Sequence, residues 1–211
     1  MADLDTDEEK VEAIKKWWKT NGVSVVAGVV IGLGAVLGWR TWVQHRTAVG
    51  QHASMAFEQL QMSANAGKTE QAEKEVKAIV DDYGSTPYAM FAQLTAARLA
   101  VDAGDEAAAA KTLKAAIDDA PVPALASLAA LRLARVQLDQ GDLKAAAATI
   151  DKHAGDKAFA GDFAALRGDI AAAEGRVEDA RAAYRQALSE GAGNVRLIEL
   201  KLQDLPADGA S

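Results

Sequence analysis

GVSVVAGVVIGLGAVLGW, residues 22–39, carries no charge and no polar side chain except Ser24. An apolar run of about 18 residues or more meets the length needed for a membrane-spanning helix. In hydrocarbon a single span must satisfy its own backbone N–H and C=O groups, so helix is the only conformation open to it. The chain's four tryptophans bracket the run, Trp17 and Trp18 before it and Trp39 and Trp42 at its end. Trp18 to Trp39 covers about 31 Å at 1.5 Å per residue, which places indoles at both edges of a hydrocarbon layer about 30 Å thick. A removable leader would end at a small-x-small site close behind the run. Here Trp39, Arg40, Trp42, His45 and Arg46 follow, and Ala48-Val49-Gly50 lies too far downstream. A buried helix of a soluble core would have no use for Gly22, Gly28, Gly32, Gly34 and Gly38, each costing about 1 kcal/mol against alanine. The run is therefore expected to be an uncleaved anchor.

Working outward, the preceding residues EEKVEAIKKWWKTN (8–21) set Val11, Ile14, Trp17 and Trp18 at helical spacing, which predicts an amphipathic lead-in at the membrane surface. Asn21-Gly22 is the expected bend between lead-in and span. Lys10, Lys15, Lys16 and Lys19 precede the run, and Arg40 and Arg46 follow it, a bias that favours a cytosolic N-terminus. Within the run, Gly28 with Gly32 and Gly34 with Gly38 form two G-x-x-x-G pairs, candidate positions for close packing of a second membrane helix.

The whole net charge of −7 belongs to the part beyond residue 52, where 17 basic side chains face 24 acidic ones. An acidic domain without basic clusters argues against nucleic acid and against adhesion to an anionic membrane surface. The absence of cysteine removes disulfides and thiolate metal sites.

Past Arg46, helix-forming residues continue to about Ala66, and then a period begins. Gly67, Gly104, Gly141 and Gly175 are separated by 37, 37 and 34 residues, each between two helical stretches. A glycine that ends one helix, followed by acids that open the next, is the expected punctuation of a helical hairpin. Alignment on these glycines superimposes Ala72, Ala109, Ala146 and Ala180, then Val76, Leu113, Ile150 and Tyr184, then Ile79, Ala116, His153 and Ala187. The three sets share one helix face. Gly84-Ser-Thr-Pro87, Pro121-Val-Pro123, Gly155-Asp156 and Gly191-Ala-Gly193 are placed to join one hairpin to the next. This G…A-x-x-x-F-x-x-A spacing resembles the tetratricopeptide repeat. The expected fold is all-α: one N-terminal transmembrane helix, then a tetratricopeptide-repeat-like right-handed helical solenoid of about four hairpins, with residues 194–205 as a C-terminal capping helix.

No nucleophile elbow, zinc-protease motif or P-loop occurs, so no catalytic, cofactor-binding or metal-ligating residues are assigned and no small-molecule substrate is expected. His45 and His52 lack the further ligands a metal requires, and His153 falls at a packing position. Asp81-Asp82 and Asp118-Asp119 read as solvated surface; Asp162 and Asp169, seven apart in the last unit, are expected to be solvated, with a ligand-facing pair as the alternative. What a solenoid offers is a surface lined by the first helix of each hairpin. The candidate protein-binding positions there are Phe57, Phe91, Leu94, Arg98, Leu128, Leu131, Arg135 and Leu138, with Arg98 and Arg135 at equivalent places in adjacent units.

Val11-Glu12-Ala13-Ile14-Lys15-Lys16-Trp17-Trp18, Asn21-Gly22, and the pattern Gly28…Gly32…Gly34-Ala35…Gly38-Trp39-Arg40…Trp42 resemble the N-terminal signature of the YfgM-like ancillary subunits of the bacterial SecYEG translocon. Leu131-Arg132-Leu133-Ala134-Arg135-Val136 and Leu166-Arg167-Gly168 extend the likeness. The resemblance implies a single-pass bacterial inner-membrane protein with a cytosolic N-terminus. Its implied layout is a cytosolic tail at 1–21, a transmembrane helix at 22–42, a periplasmic repeat domain at 43–205 and a flexible tail at 206–211. It implies three kinds of partner: the SecYEG translocon, a membrane-anchored periplasmic chaperone of the PpiD type, and translocating polypeptides. The implied role is a non-enzymatic scaffold that passes translocated chains to chaperones, with the cytosolic tail regulating envelope stress signalling. A membrane-anchored adaptor for another envelope assembly, in division or outer-membrane biogenesis, would share the same fold.

Overall fold

The structure, a computed structural model, describes residues 2–206, with side chains from Lys10 onward. Among the described residues there are nine α-helices, one short 3-10 turn and no strand. Internal contacts divide the chain into two compact units, with the boundary between Val49 and Gly50.

The first unit is the N-terminal part of α1 (Ala2–Asn65). Its apolar side chains face outward all round: Val23 is 83% exposed and Ile31 71%. It is the one helix among the described residues long and apolar enough to cross a membrane. Burial in a protein core is therefore not what this segment is built for, since nothing in its own unit covers it. The expected bend at Asn21-Gly22 does not form. Helix runs through both residues, Asn21 Nδ2 donates to the Trp17 carbonyl at 3.1 Å, and Gly22 lies under the Trp18 indole. A Cβ at Gly22 would stand 3.2 Å from that ring. The indole explains the glycine, and an asparagine able to bond back along the helix has no need to break it. Trp17 and Trp18 stand 6.4 Å apart, Trp39 and Trp42 5.1 Å apart, and the Arg46 guanidinium lies 5.0 Å from the Trp42 ring.

The second unit holds four helical hairpins and a last helix. The end of α1 pairs with α2 (Thr69–Tyr83), α3 (Pro87–Asp102) with α4 (Glu106–Asp118), α5 (Pro123–Asp139) with α6 (Leu143–His153), and α7 (Ala160–Ala173) with α8 (Val177–Ser189). α9 is Val195–Asp204. Each expected joint is present. Gly67, Gly104, Gly141 and Gly175 take φ between 68° and 78°, where a Cβ would be strained. At each, two backbone bonds close the preceding helix: Gly104 N–H donates to Val101 O at 2.9 Å and Asp105 N–H to Ala100 O at 2.8 Å. Asp105 and Asp142 then cap the next helix by accepting from Ala108 N–H (2.9 Å) and Ala145 N–H (3.0 Å). Pro87 and Pro123 open α3 and α5 at a position where a missing N–H costs nothing.

Within each hairpin a residue seven before the glycine packs with one nine after it, in one core cluster in the first three hairpins and by close approach in the last. The pairs are Leu60/Val76, Ala97/Leu113, Ala134/Ile150 and Gly168/Tyr184. Where one partner shrinks the other grows, which keeps the space between the helices filled at close-packed density. The last hairpin takes this furthest, with Tyr184 against a bare Gly168. The C-terminal helix caps the last hairpin as expected: Ile198, Leu202 and Leu205 pack on a cluster containing Ala180 and Ala187. The tail expected from Pro206 lies, from residue 207, outside the described residues, as does residue 1.

Candidate protein-binding groove

Two acidic residues expected to be solvated prove to be structural. Asp169 Oδ1 accepts from Tyr184 Oη at 2.7 Å and from Lys201 Nζ at 2.6 Å, tying α9 to α7 and α8. Burial first, then the bond to Asp169 and its charge, raise the Tyr184 phenol well above its ordinary value. Asp162 Oδ1 accepts from Gly193 N–H at 3.3 Å in the turn before α9. Of the other acids, Asp81 pairs with Lys77 and Asp119 accepts from Gln93 Nε2 at 3.1 Å. His153 is half-buried. Burial, then the neighbouring Lys152, lower its imidazole pKa, against a smaller upward pull from Asp118. Among the described residues no three His, Asp or Glu side chains gather as a metal site would require.

The eight candidate groove residues do not form one surface. Phe57 and Phe91 meet Tyr88, which sequence reasoning missed, in an aromatic trio with centroids 5.9, 6.0 and 6.2 Å apart. Leu128 and Leu138 are half-buried against the cores of the second and third hairpins. Leu131 is 4% exposed, in a cluster with Phe163, and serves the interior. Leu94, 3% exposed, is also core, yet it floors a groove with Arg98 and Arg135 at its sides.

That groove encloses about 330 Å³ between α3 and α5. Ala97 and Val101 of α3, Leu113 of α4 and Val136 of α5 complete an apolar floor; Arg132 and Asp139 join the wall. Arg132 was not among the expected positions. It is one turn before Arg135, and the signal available was its place in the run Leu131–Val136, read only for resemblance. Burial, then the charges of Arg135 and Arg98, lower its pKa. The capping helix does not line the groove.

In the first unit, Gly28, Gly32, Gly34 and Gly38 each have no neighbouring atom within 4 Å of an ideal Cβ. The two G-x-x-x-G pairs lie about 120° apart around the helix at 100° per residue, so they mark two narrow tracks and not one.

The repeated hairpin, with its left-handed glycine, close-packed alanine and large residue four further on, is matched by a family model described as a tetratricopeptide repeat-like domain over residues 15–207. The chain belongs to the tetratricopeptide repeat-like domain family. The match begins at Lys15, ahead of the apolar run, and so covers that run together with the hairpins. Three curated relatives are each named ancillary SecYEG translocon subunit, the family that the N-terminal signature resembles. The one from Haemophilus influenzae is 33% identical over 101 residues, 47% of this chain and 48% of its own length. The one from Escherichia coli K12 is 30% identical over 96 residues, 44% and 47% of the two chains. The one from Aggregatibacter actinomycetemcomitans is 33% identical over 101 residues, 48% and 49%. The chain spans about half the length of the curated relatives it matches.

Proposed function

We propose that this protein is a non-enzymatic subunit held beside the SecYEG translocon of a bacterial inner membrane, where its repeat domain receives polypeptides on the periplasmic side. The observation that carries this reading is the joining, in one repeat-family chain, of an outward-facing apolar helix of membrane length to a stack of helical hairpins with a groove between α3 and α5. The names of the relatives support the translocon as the neighbour. The excess of lysine before the span supports a cytosolic N-terminus. A solenoid surface suits hand-over of emerging chains to a membrane-anchored chaperone of the PpiD type, because it grips extended segments without altering them. The tail before the span would then report on that traffic from the cytosol.

Photo-crosslinkers placed at Gly32 and Gly38 test the membrane half, and protease protection in inverted vesicles tests the orientation. Crosslinks to translocon subunits and a protected C-terminal domain are expected. Crosslinks confined to other envelope complexes would reassign the adaptor, and digestion of the C-terminal domain from the cytosolic side would overturn the topology.

A further inference from the structure

In the first and last hairpins the residue six positions before the hairpin glycine meets a polar partner on another helix. In the first hairpin Gln61 Nε2 donates to Thr95 Oγ1 on the next unit at 3.0 Å. In the last, Asp169 accepts from Tyr184 and Lys201. The two middle hairpins place Arg98 and Arg135 there, and among the described residues neither forms an ion pair or hydrogen bond. Arg132, aligned with Thr95, stands on the facing wall of the groove. Where the neighbouring joint makes a hydrogen bond, this one therefore sets guanidinium beside guanidinium. Asp139 is the one acid in the lining, leaving two positive charges in excess over an apolar floor, within a domain that is acidic overall.

The three exposed guanidinium groups repel one another, and an anion set between them relieves that repulsion. Arginine is also the side chain whose planar donors match a carboxylate in pairs. We propose that the α3–α5 groove binds an acidic segment of a partner polypeptide, with carboxylates held by Arg98, Arg132 and Arg135 and an adjoining apolar side chain seated on Val101, which is 40% exposed. A protein segment fits better than a bare anion because a small ion would leave the exposed Val101 beside the arginines uncovered. This inference rests on the reading of the repeat domain as a polypeptide receiver and adds the chemistry of what it receives.

The test uses the full chain in mild detergent and a fluorescent, end-blocked heptapeptide of alternating Glu and Leu. The Gln counterpart of that peptide is the uncharged control. Saturable binding of the Glu peptide is expected, weakening as salt rises, with at least about tenfold lower affinity in R132Q and in R98Q/R135Q. R185Q, on α8 away from the groove, is expected to bind as the parent does, and circular dichroism checks that each variant keeps its helices. Equal binding of the Gln peptide, or an unchanged affinity in R132Q, overturns the inference. Full displacement by inorganic phosphate with no dependence on the Leu side chains also overturns it, as does self-association that R132Q abolishes in sedimentation. Recovery of translocon subunits with the same variants separates the two readings. Retained subunits without peptide binding refute the groove alone, and peptide binding without subunits refutes the translocon assignment alone.

Discussion

Replacing Gly168 by alanine sets a methyl carbon 2.4 Å from Tyr184 Cε1 and 2.5 Å from Cδ1. Carbon atoms rest about 3.5–4 Å apart, so the ring must withdraw by about 1 Å. Tyr184 is 3% exposed, between helices that leave it little room. Withdrawal also pulls the phenol from Asp169, which it meets at 2.7 Å. Overpacking costs about 1–3 kcal/mol, and a hydrogen bond to a charged group contributes about 1.5–3 kcal/mol. Alanine's better helix propensity returns about 1 kcal/mol. The expected net loss is about 2–4 kcal/mol, concentrated in α7, α8 and α9, because repeat units couple chiefly to their neighbours. Hydrogen exchange on the full chain in detergent reads this directly. Amide protection in α7 and α8 should fall by roughly thirtyfold to several hundredfold, at about 1.4 kcal/mol per tenfold, while the α3–α4 hairpin changes little. Combining Gly168→Ala with Tyr184→Leu reproduces the Ala97/Leu113 pairing of the second hairpin and should restore much of the protection. If Gly168→Ala alone leaves α7 and α8 as protected as the parent, size compensation between paired helices is refuted.

Gly161→Ala should be worse, by about 3 kcal/mol or more, because its Cβ meets the Ala192 backbone N at 2.4 Å and no side chain can swing aside; urea titration of the same helices measures it. Asp169→Asn should loosen α9 by about 1–2 kcal/mol, since Lys201 loses its anion in a partly exposed pair, and should quicken proteolysis within residues 195–204. His153 has a lower pKa folded than unfolded, so the unfolded chain binds more protons. Its contribution is fully present above about pH 6.5 and is lost as pH falls towards the folded value. His153→Gln should flatten stability against pH between about 7 and 5 relative to the parent, measured by paired urea titrations at each pH.

The long apolar helix, the hairpin turns and the number of hairpins were legible in the residues because each is decided locally. An 18-residue uncharged run settles its own solvent, and a glycine at positive φ followed by a capping aspartate closes and reopens a helix with bonds spanning a few residues. Periodicity also identified the packed faces, since Ala72, Ala109, Ala146 and Ala180 are all buried. Asn21-Gly22 misled because a turn-prone pair is read from the backbone alone, whereas the Trp18 ring over Gly22 and the bond from Asn21 to Trp17 hold it helical.

Tertiary structure decided what the side chains on those faces meet. Whether a leucine of a first helix lies in the core or beside a groove depends on how closely the next hairpin approaches, and that depends on the sizes of residues dozens of positions away. So Leu131 went inside against Phe163 and Leu94 into the core of the second hairpin, while Arg98, one turn after Leu94, stayed at the groove. Asp162 and Asp169, seven apart on α7, found their partners only when α8 and α9 folded back upon them. Arg132 joined Arg98 across a joint that spans 34 residues of sequence. Helical period states which way a side chain points; which charge or ring stands opposite is set by the distance between helices, and no local stretch of sequence contains that distance.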